Sequence, residues 1–340
     1  MKILVIRISS LGDVILSTYV VRLLRNAFPE SQIDFLVANQ FSQVFKYNPR
    51  LNNVIAYDKT KPFYFHLFET LSINNPIHYD VIIDLQNNLR SRIYSLGKGT
   101  NIYRFNKRRF FKFKLVYLKK RTNDYLQIPI LYRDTIPNLN RFDDNLGLEL
   151  WTEKDLSRGE YLPHKKKLQK INLGKIAIAP GSKHFTKSLP ARKFVDLINL
   201  FRDRFNSQII LLGGNEDFDV CDRIARATPG VENLAGKTDL IRTAELIDEM
   251  DMVISNDSAM VHIASARKVP VVQIFGSTVP EFGFTPFRTP NAIVENNEVD
   301  CRPCTHFGKS RCPKGHFKCM EDITAEMILS AIERIIEQSI

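Results

Sequence analysis

Residues 252–280 read MVISNDSAMVHIASARKVPVVQIFGSTVP, and this stretch decides the fold. Residues 252–255 form an apolar run that stops abruptly at Asn256, Asp257 and Ser258. Residues 259–266 are helix formers. Residues 270–275 are a second apolar run, closed by Gly276, Ser277 and Thr278. Two short buried strands joined by a helix predict a βαβ unit, and so a parallel sheet covered on both faces. Ligands of such sheets sit beyond the carboxyl ends of the strands, where both polar triplets fall. A helix starting at Ser258 and Ala259 offers backbone N–H groups and the positive end of its dipole, which suits an anion. A plain N-cap role for Asp257 or Ser258 is the competing reading.

The pattern recurs upstream. Residues 175–179 predict a strand that runs into Pro180-Gly181-Ser182-Lys183-His184-Phe185-Thr186-Lys187, and Pro190 opens a helix to about residue 205. Gly181, Ser182, Lys183 and Lys187 at a strand end supply backbone N–H, a hydroxyl and two ammonium groups, the chemistry of a phosphate site. The spacing of a P-loop is absent. Residues 208–212 predict the next strand, ending in Gly213-Gly214-Asn215-Glu216, where Glu216 is placed to accept hydrogen bonds from ribose hydroxyls. A turn at 233–238 and a helix at 240–250 lead into the opening unit. Three successive strand ends thus carry anion- and sugar-binding groups, which raises the ligand-binding reading of Asp257 and Ser258 to stand level with capping.

In the first half, residues 2–6 predict a strand, Arg7-Ile8-Ser9-Ser10-Leu11-Gly12 a turn, and residues 13–27 an amphipathic helix. Asp13 lies in the first helical turn, where the dipole stabilises its carboxylate; a helix-start acid and a catalytic acid both fit. Arg7, Ser9, Ser10 and Asp13 at one strand end make an active-site edge. The glycines of a dinucleotide fingerprint are missing. Strands follow at 33–37, 54–57 and 81–85, with a short helix near 41–47 and another from Pro62 to about residue 73. Arg90 and Arg92 lie just past the last of these strands. Strands alternating with helices make this half α/β. At the other end of the chain, Thr324 caps a last helix to about residue 338, with Met327, Ile328, Ala331, Ile332, Ile335 and Ile336 on one face.

A chain of 340 residues with 44% hydrophobic and 25% charged residues has material for two cores. The expected division is 1–160, a polar Lys-rich linker at 161–174, a second domain at 175–322 and a terminal helix at 323–340. No run of eighteen apolar residues predicts a transmembrane helix. Arg7 and Asp13 interrupt the apolar start, which reads as strand and helix rather than a signal peptide, so a cytoplasmic protein is expected. The net charge of +11 points to an anionic partner. Residues 103–121 combine nine Lys/Arg with six Phe/Tyr and no acid. That mixture suits an anionic membrane surface or anionic acceptor. Single-stranded nucleic acid is the rival partner, but no nucleic-acid motif accompanies it; a solvated helix face is the plainer alternative. Five cysteines do not make a secreted disulfide framework. Cys301, Cys304, Cys312 and Cys319 have a spacing that could hold a structural zinc, with reduced thiols or a local disulfide equally open. A zinc-containing nucleic-acid-binding protein is the rival from another functional class.

The segments RISSLGDVILST, DVIIDLQNNLRS, APGSKHFTKSLPARKF, LLGGNED, NLAGKTDL, SNDSAMVHIASA, IFGSTVP and CRPC…CPKGHFKCM occur in this order. Together they resemble glycosyltransferase family 9, the ADP-heptose:lipopolysaccharide heptosyltransferases, over nearly the whole chain. The resemblance implies a GT-B architecture: two Rossmann-like domains with parallel sheets facing across a cleft, acceptor mainly on the first and nucleotide-sugar on the second. It implies inverting transfer of heptose from ADP-heptose to the lipid-linked lipopolysaccharide inner core, with no metal or cofactor. Such an enzyme would work at the cytoplasmic face of the inner membrane as a peripheral protein. By resemblance, Asp13 is the general base and Lys187 neutralises the departing diphosphate. Ser182 and Lys183 line the phosphates, and Asp257, Ser258, Ala259 and His262 hold diphosphate and sugar. Glu216 and Thr238 lie near adenosine, and Arg90, with Arg7 and Ser10, on the acceptor side. The chain departs from the family pattern at Tyr19, at Leu189 and at Ala259, which replaces a frequent glycine. The alternative within this architecture is another nucleotide-sugar, used by a transferase or an epimerase.

Overall fold

The computed structural model describes residues 1–61, 78–161 and 173–338. The helix expected from Pro62 and most of the expected linker lie outside the described residues. The chain divides into two compact units, Met1–Arg108 with Ile128–Leu162, and Arg109–Gln127 with Pro163–Ile340.

The first unit begins β1 (Lys2–Ile6), α1 (Leu11–Ala27), β2 (Gln32–Ala38), β3 (Asn53–Tyr57), β4 (Tyr79–Asp84), α2 (Leu89–Tyr94) and β5 (Gly99–Arg104). The chain then contributes α3 (Arg109–Tyr117) to the other unit and returns with α4 (Ile128–Arg133) and α5 (Glu153–Arg158). All strand pairs are parallel, in the order β3-β2-β1-β4-β5. Ile3 sits between Ile33 and Val81, so β1 is the central strand. The strand order reverses between β1 and β4, and the loops after these two strands flank the switch point where α/β sheets bind ligands. The expected short helix near residues 41–47 is a 3-10 turn at Asn39–Phe45. β5 was not expected, because Gly99 and Asn101 are weak strand formers on a half-exposed edge.

α1 departs from the amphipathic expectation. Val14 through Leu24 are all buried, because the helix packs against β2 on one side and α4 on another. Arg22 is tolerated there by pairing with Glu149 and, at 2.5 Å, with Asp144. Glu149 is itself fully buried and also accepts from Arg50 at 2.7 Å and from Trp151 Nε1 at 3.1 Å.

The second unit continues β6 (Lys175–Ala179), α6 (Ala191–Phe205), β7 (Gln208–Leu211), α7 (Phe218–Ala227), β8 (Glu232–Asn233), α8 (Leu240–Asp248), β9 (Met252–Asn256), α9 (Ala259–Ala266) and β10 (Val271–Phe275). It ends with β11 (Asn291–Glu295), α10 (Lys318–Glu321) and α11 (Ala325–Gln338). The parallel sheet has the order β11-β10-β9-β6-β7-β8, and its switch point lies between β6 and β9. β9, α9 and β10 are the predicted βαβ unit, with every residue of both strands buried. α11 packs its isoleucines into this core; Met327, expected on the same face, is instead exposed.

α3 changes the reading of the basic stretch. Leu115 is fully buried against Val279 and Phe282 of the second unit. Lys119 Nζ donates to the carbonyls of Cys301 and Pro303 at 3.0 and 2.6 Å. Arg121 pairs with Glu281 at 2.6 Å and Glu295 at 3.0 Å. These cations fasten the segment down, so residues 103–121 are a strap as well as a surface.

Candidate functional site

In the first unit, β1 delivers the chain to Asp13 through a loop braced from β4. Gln86 Oε1 accepts from the backbone N–H groups of Ile8 and Ser9, both at 3.0 Å. Asp84, buried at the end of β4, in turn holds Asn87 N at 2.7 Å and Ser91 Oγ at 2.9 Å. Both Asp13 oxygens are engaged. Oδ2 accepts from Ser10 Oγ at 2.8 Å and Ser10 N at 3.2 Å. Oδ1 pairs with Arg7 Nη2 at 2.7 Å and accepts from Tyr132 Oη at 3.1 Å. Burial works to raise the Asp13 pKa, but the Arg7 charge and the Ser10 hydrogen bonds outweigh it and hold the carboxyl below its ordinary range. Burial pushes the Tyr132 phenol well above its ordinary value, so it stays a donor.

Arg7, expected on the acceptor side, faces Asp13 in this structure. It is 8% exposed, it donates to Leu85 O at 2.7 Å, and its guanidinium carbon lies 5.5 Å from the Tyr132 ring centroid. Its charge is turned inward onto Asp13. Ser10 and Arg90 are exposed, Arg90 in the first turn of α2, which Asn88 caps.

In the second unit, Lys187 Nζ pairs with Asp257 Oδ2 at 2.8 Å, and Thr278 Oγ1 donates to the same oxygen at 2.8 Å. Lys187 closes a short 3-10 turn, Phe185–Lys187, whose flanks are fixed by neighbouring strand ends. Asn256, buried at the end of β9, donates to Pro180 O at 2.7 Å and accepts from Leu189 N at 3.2 Å. Ser277, after β10, donates through Oγ to Thr186 Oγ1 at 2.8 Å and through N to Thr186 O at 3.1 Å. A Cβ on Gly276 would lie 2.8 Å from Thr186 O, so this close approach requires glycine. At Gly181 the neighbour is a side chain: the Asp217 carboxylate fills the place a Cβ would take, and Asp217 also accepts from Gly214 N at 2.9 Å.

Ser258 is the N-cap of α9, its Oγ accepting from Met260 N at 3.3 Å. Capping and a place at an anion-suited helix start therefore coexist in one residue. Ala259 opens the helix, and His262 is buried one turn on, 6.4 Å from the Phe284 ring. The Ser182 hydroxyl oxygen is buried and has no hydrogen-bond partner among the described residues, while Lys183 is exposed. Glu216 is exposed in the turn after β7. Thr238 pairs with Thr243 Oγ1 at 2.8 Å and lines a cavity of about 420 Å³ with Lys175, Gln208 and Arg242. Lys175 and Gln208 open β6 and β7, so that cavity reaches the strands' amino ends, away from the Lys187 turn. Sequence reasoning missed Tyr132, Gln86 and Asp217, and placed Thr278 at a strand's carboxyl end without giving it a role. The place of Gln86 just past a strand end was the one available signal among them.

The four late cysteines, for which a structural zinc is one expectation, lie in the loop and short helix that follow β11. All are free thiols, and among the described residues no group of three or more His, Cys, Asp or Glu is placed to hold a metal ion. Cys319 is buried in the apolar core, where burial pushes its thiol up to about 12, and Cys301, Cys304 and Cys312 lie near enough to add to that rise. Cys301 Sγ lies 3.8 Å from His316 Nε2.

Two parallel α/β units of this topology in one chain are the GT-B architecture. It is shared with the crystal structure of the glycosyl transferase family 9 protein from Veillonella parvula (TM-score 0.76, 20% identity, 99% of this chain and 97% of that one). It is shared too with E. coli ADP-heptose lps heptosyltransferase II (TM-score 0.69, 20% identity, 99% of both chains). Among curated proteins, lipopolysaccharide heptosyltransferase 3 of E. coli K12 is 27% identical over 288 residues, 78% of this chain and 80% of its own. The model of glycosyltransferase family 9 (heptosyltransferase) matches residues 67–314. The chain belongs to this family and is a glycosyltransferase.

Proposed function

We propose that the enzyme transfers a heptose from ADP-heptose to a hydroxyl of the lipopolysaccharide inner core, with inversion. The observation that carries this reading is the Lys187–Asp257 pair at the start of α9, in a chain that also fixes a carboxylate, Asp13, at the end of β1. The acceptor oxygen attacks the anomeric carbon as the bond from that carbon to ADP breaks. The acceptor proton passes to Asp13, and the bonding electrons leave with ADP. Oδ2 is the oxygen for this task, since its Ser10 hydroxyl partner occupies the place of an acceptor hydroxyl, whereas Oδ1 is held by Arg7 and Tyr132. A carboxylate with a lowered pKa is a weak base, so proton transfer is late and positioning supplies much of the rate.

Charge grows on the leaving diphosphate. Lys187 and the start of α9 at Ser258 and Ala259 meet it, stabilising the transition state more than the ground state. Ser182 and Lys183 contact the phosphates, Asp257 and His262 the sugar, and Glu216 and Thr238 the adenosine. Ser10 and Arg90 serve the acceptor. This chemistry calls on no metal or cofactor. The acceptor is lipid-linked, and the enzyme is peripheral on an anionic membrane, at the cytoplasmic face of the inner membrane; among the described residues no helix is long and apolar enough to cross one.

Calorimetric titration with ADP-heptose against UDP-, GDP- and dTDP-sugars, in EDTA, tests the donor. Selective ADP-heptose binding that weakens in Lys187→Ala is the expected outcome. Preference for another nucleotide overturns the donor assignment while leaving the family intact.

A further inference from the structure

We propose that the outward face of α3 is the surface that lies in the membrane interface, with an anionic bilayer as its partner. The inference rests on the peripheral reading above and names the face responsible. Phe110, Phe113, Lys114 and Tyr117 follow one another at helical spacing, so they share one side of the helix. Phe110 is 69% exposed, Phe113 48%, Tyr117 71% and Leu118 51%. The opposite side, Phe111 and Leu115, is already packed against Val279, Phe282 and Phe284. The helix is therefore apolar on two sides. One side holds it to the second unit, and the other presents aromatic rings to the exterior.

The neighbouring loop extends the same surface. Lys119, just past α3, bonds the carbonyls of Cys301 and Pro303. Further along that loop, His306 lies close enough to Lys112 for the ammonium to depress its pKa along with burial. Phe307, its ring centroid 3.6 Å from that of His306 and tilted to it by 41°, is 64% exposed.

Charge identifies the partner. Arg109, Lys114 and Lys120 are exposed beside these rings, and no acid occurs from residue 103 to 121. Lys114 Nζ lies 4.6 Å from the Phe110 ring centroid, which keeps a cation at the level of the aromatic stripe. Rings that enter the boundary between headgroups and acyl chains, with cations left among lipid phosphates, are the pattern of an interfacial helix. A second copy of this chain would bring like charges together at the same face, on molecules of net charge +11. A helix nine residues long, flush against its unit, has no groove to follow a nucleic-acid strand.

The test is co-sedimentation of the full chain with vesicles containing phosphatidylglycerol, against phosphatidylcholine alone. It is run at about 0.1 M and about 1 M salt, where the Debye length falls from about 10 to about 3 Å. The wild type is expected to pellet with anionic vesicles, less so at high salt. A Phe110→Ser/Phe113→Ser/Tyr117→Ser variant is expected to partition roughly tenfold less, with an unchanged melting midpoint because these side chains are exposed. Arg109→Glu/Lys114→Glu, which leaves the rings in place, is expected to lose the preference for anionic lipid. If both variants pellet like the wild type, α3 is not the surface, although the peripheral reading stands. If the wild type itself fails to pellet, the peripheral reading falls and this inference with it. Loss of self-association or of oligonucleotide binding in the variants, without a change in vesicle binding, would overturn it in favour of those partners.

Discussion

Replacing Lys187 by alanine removes the ammonium that sits 2.8 Å from Asp257 Oδ2, in a pair whose side chains are 16% and 10% exposed. As the anomeric bond breaks, the departing ADP gains about one negative charge. An ammonium roughly 4 Å from that charge contributes about 4 kcal/mol at an effective dielectric near 20. Some of this is offset, because Lys187 must loosen from Asp257 to reach the phosphate. A net loss of about 3 kcal/mol remains, comparable to deleting one oxyanion donor, and corresponds to a fall in kcat on the order of 10²-fold. KM for the donor should rise by less, since the extra charge exists only in the transition state. Single-turnover transfer to a defined acceptor measures the chemical step directly. One confounder is Asp257, which the substitution leaves held by Thr278 Oγ1 without a neighbouring cation from Lys187. Lys187→Ala/Asp257→Ala separates the effects in a double-mutant cycle. If the orphaned carboxylate were the cause, the double variant would recover the lost rate. Such recovery, or a single variant within about threefold of wild-type kcat, would refute the leaving-group role.

Tyr132→Phe removes a donor from Asp13, so the acid limb of the kcat/KM profile should move to higher pH, since the base then protonates more readily as pH falls; an unmoved limb would sink the idea that Tyr132 tunes this carboxylate. Glu149→Leu leaves Arg22 and Arg50 without their shared buried carboxylate and should cost about 3–5 kcal/mol, lowering Tm by roughly 10 °C, with Glu149→Gln milder; calorimetry showing equal Tm for all three proteins would contradict it. Incubation with a strong chelator should leave Tm and donor affinity unchanged, and stoichiometric zinc by mass spectrometry, lost together with stability, would establish the metal reading of the late cysteines.

What the sequence disclosed and what it hid differ in range along the chain. β9 and β10 were legible because they are central strands buried on both faces, hence unbroken apolar runs. β5 and β11 sit on sheet edges, where half-exposed residues such as Asn101 and Asn291 break the pattern. Asp13, Lys187 and Asp257 were legible because each lies in the short loop or first helical turn after a strand, and that is where parallel sheets place their chemistry. Their holders were not. Tyr132 reaches Asp13 from 119 residues away, and nothing local marks it. Arg7 shows the reverse: as a cation in a polar loop it read as a ligand contact, and nothing local announces that it is buried and paired with Asp13.

The basic stretch shows the same division in one segment. Its composition correctly marks residues 103–121 as unusual, but a count of cations overstates the charge presented to a partner. Arg104 stands 3.8 Å from Asp84, Lys119 bonds carbonyls, and Arg121 lies between two glutamates. Each is held by groups distant in sequence, as Asp13 is held by Tyr132. What remains distinctive is the arrangement of the aromatic residues. Phe111 and Leu115 bind the helix to its unit, and Phe110, Phe113 and Tyr117 are left outside by the same 3.6-residue period. On that outer face the rings touch one another and Lys114, Phe113 lying 4.9 Å from Tyr117, but they bury little of their surface against the rest of the unit. The proposed interface with anionic lipid would use these rings and the cations beside them together.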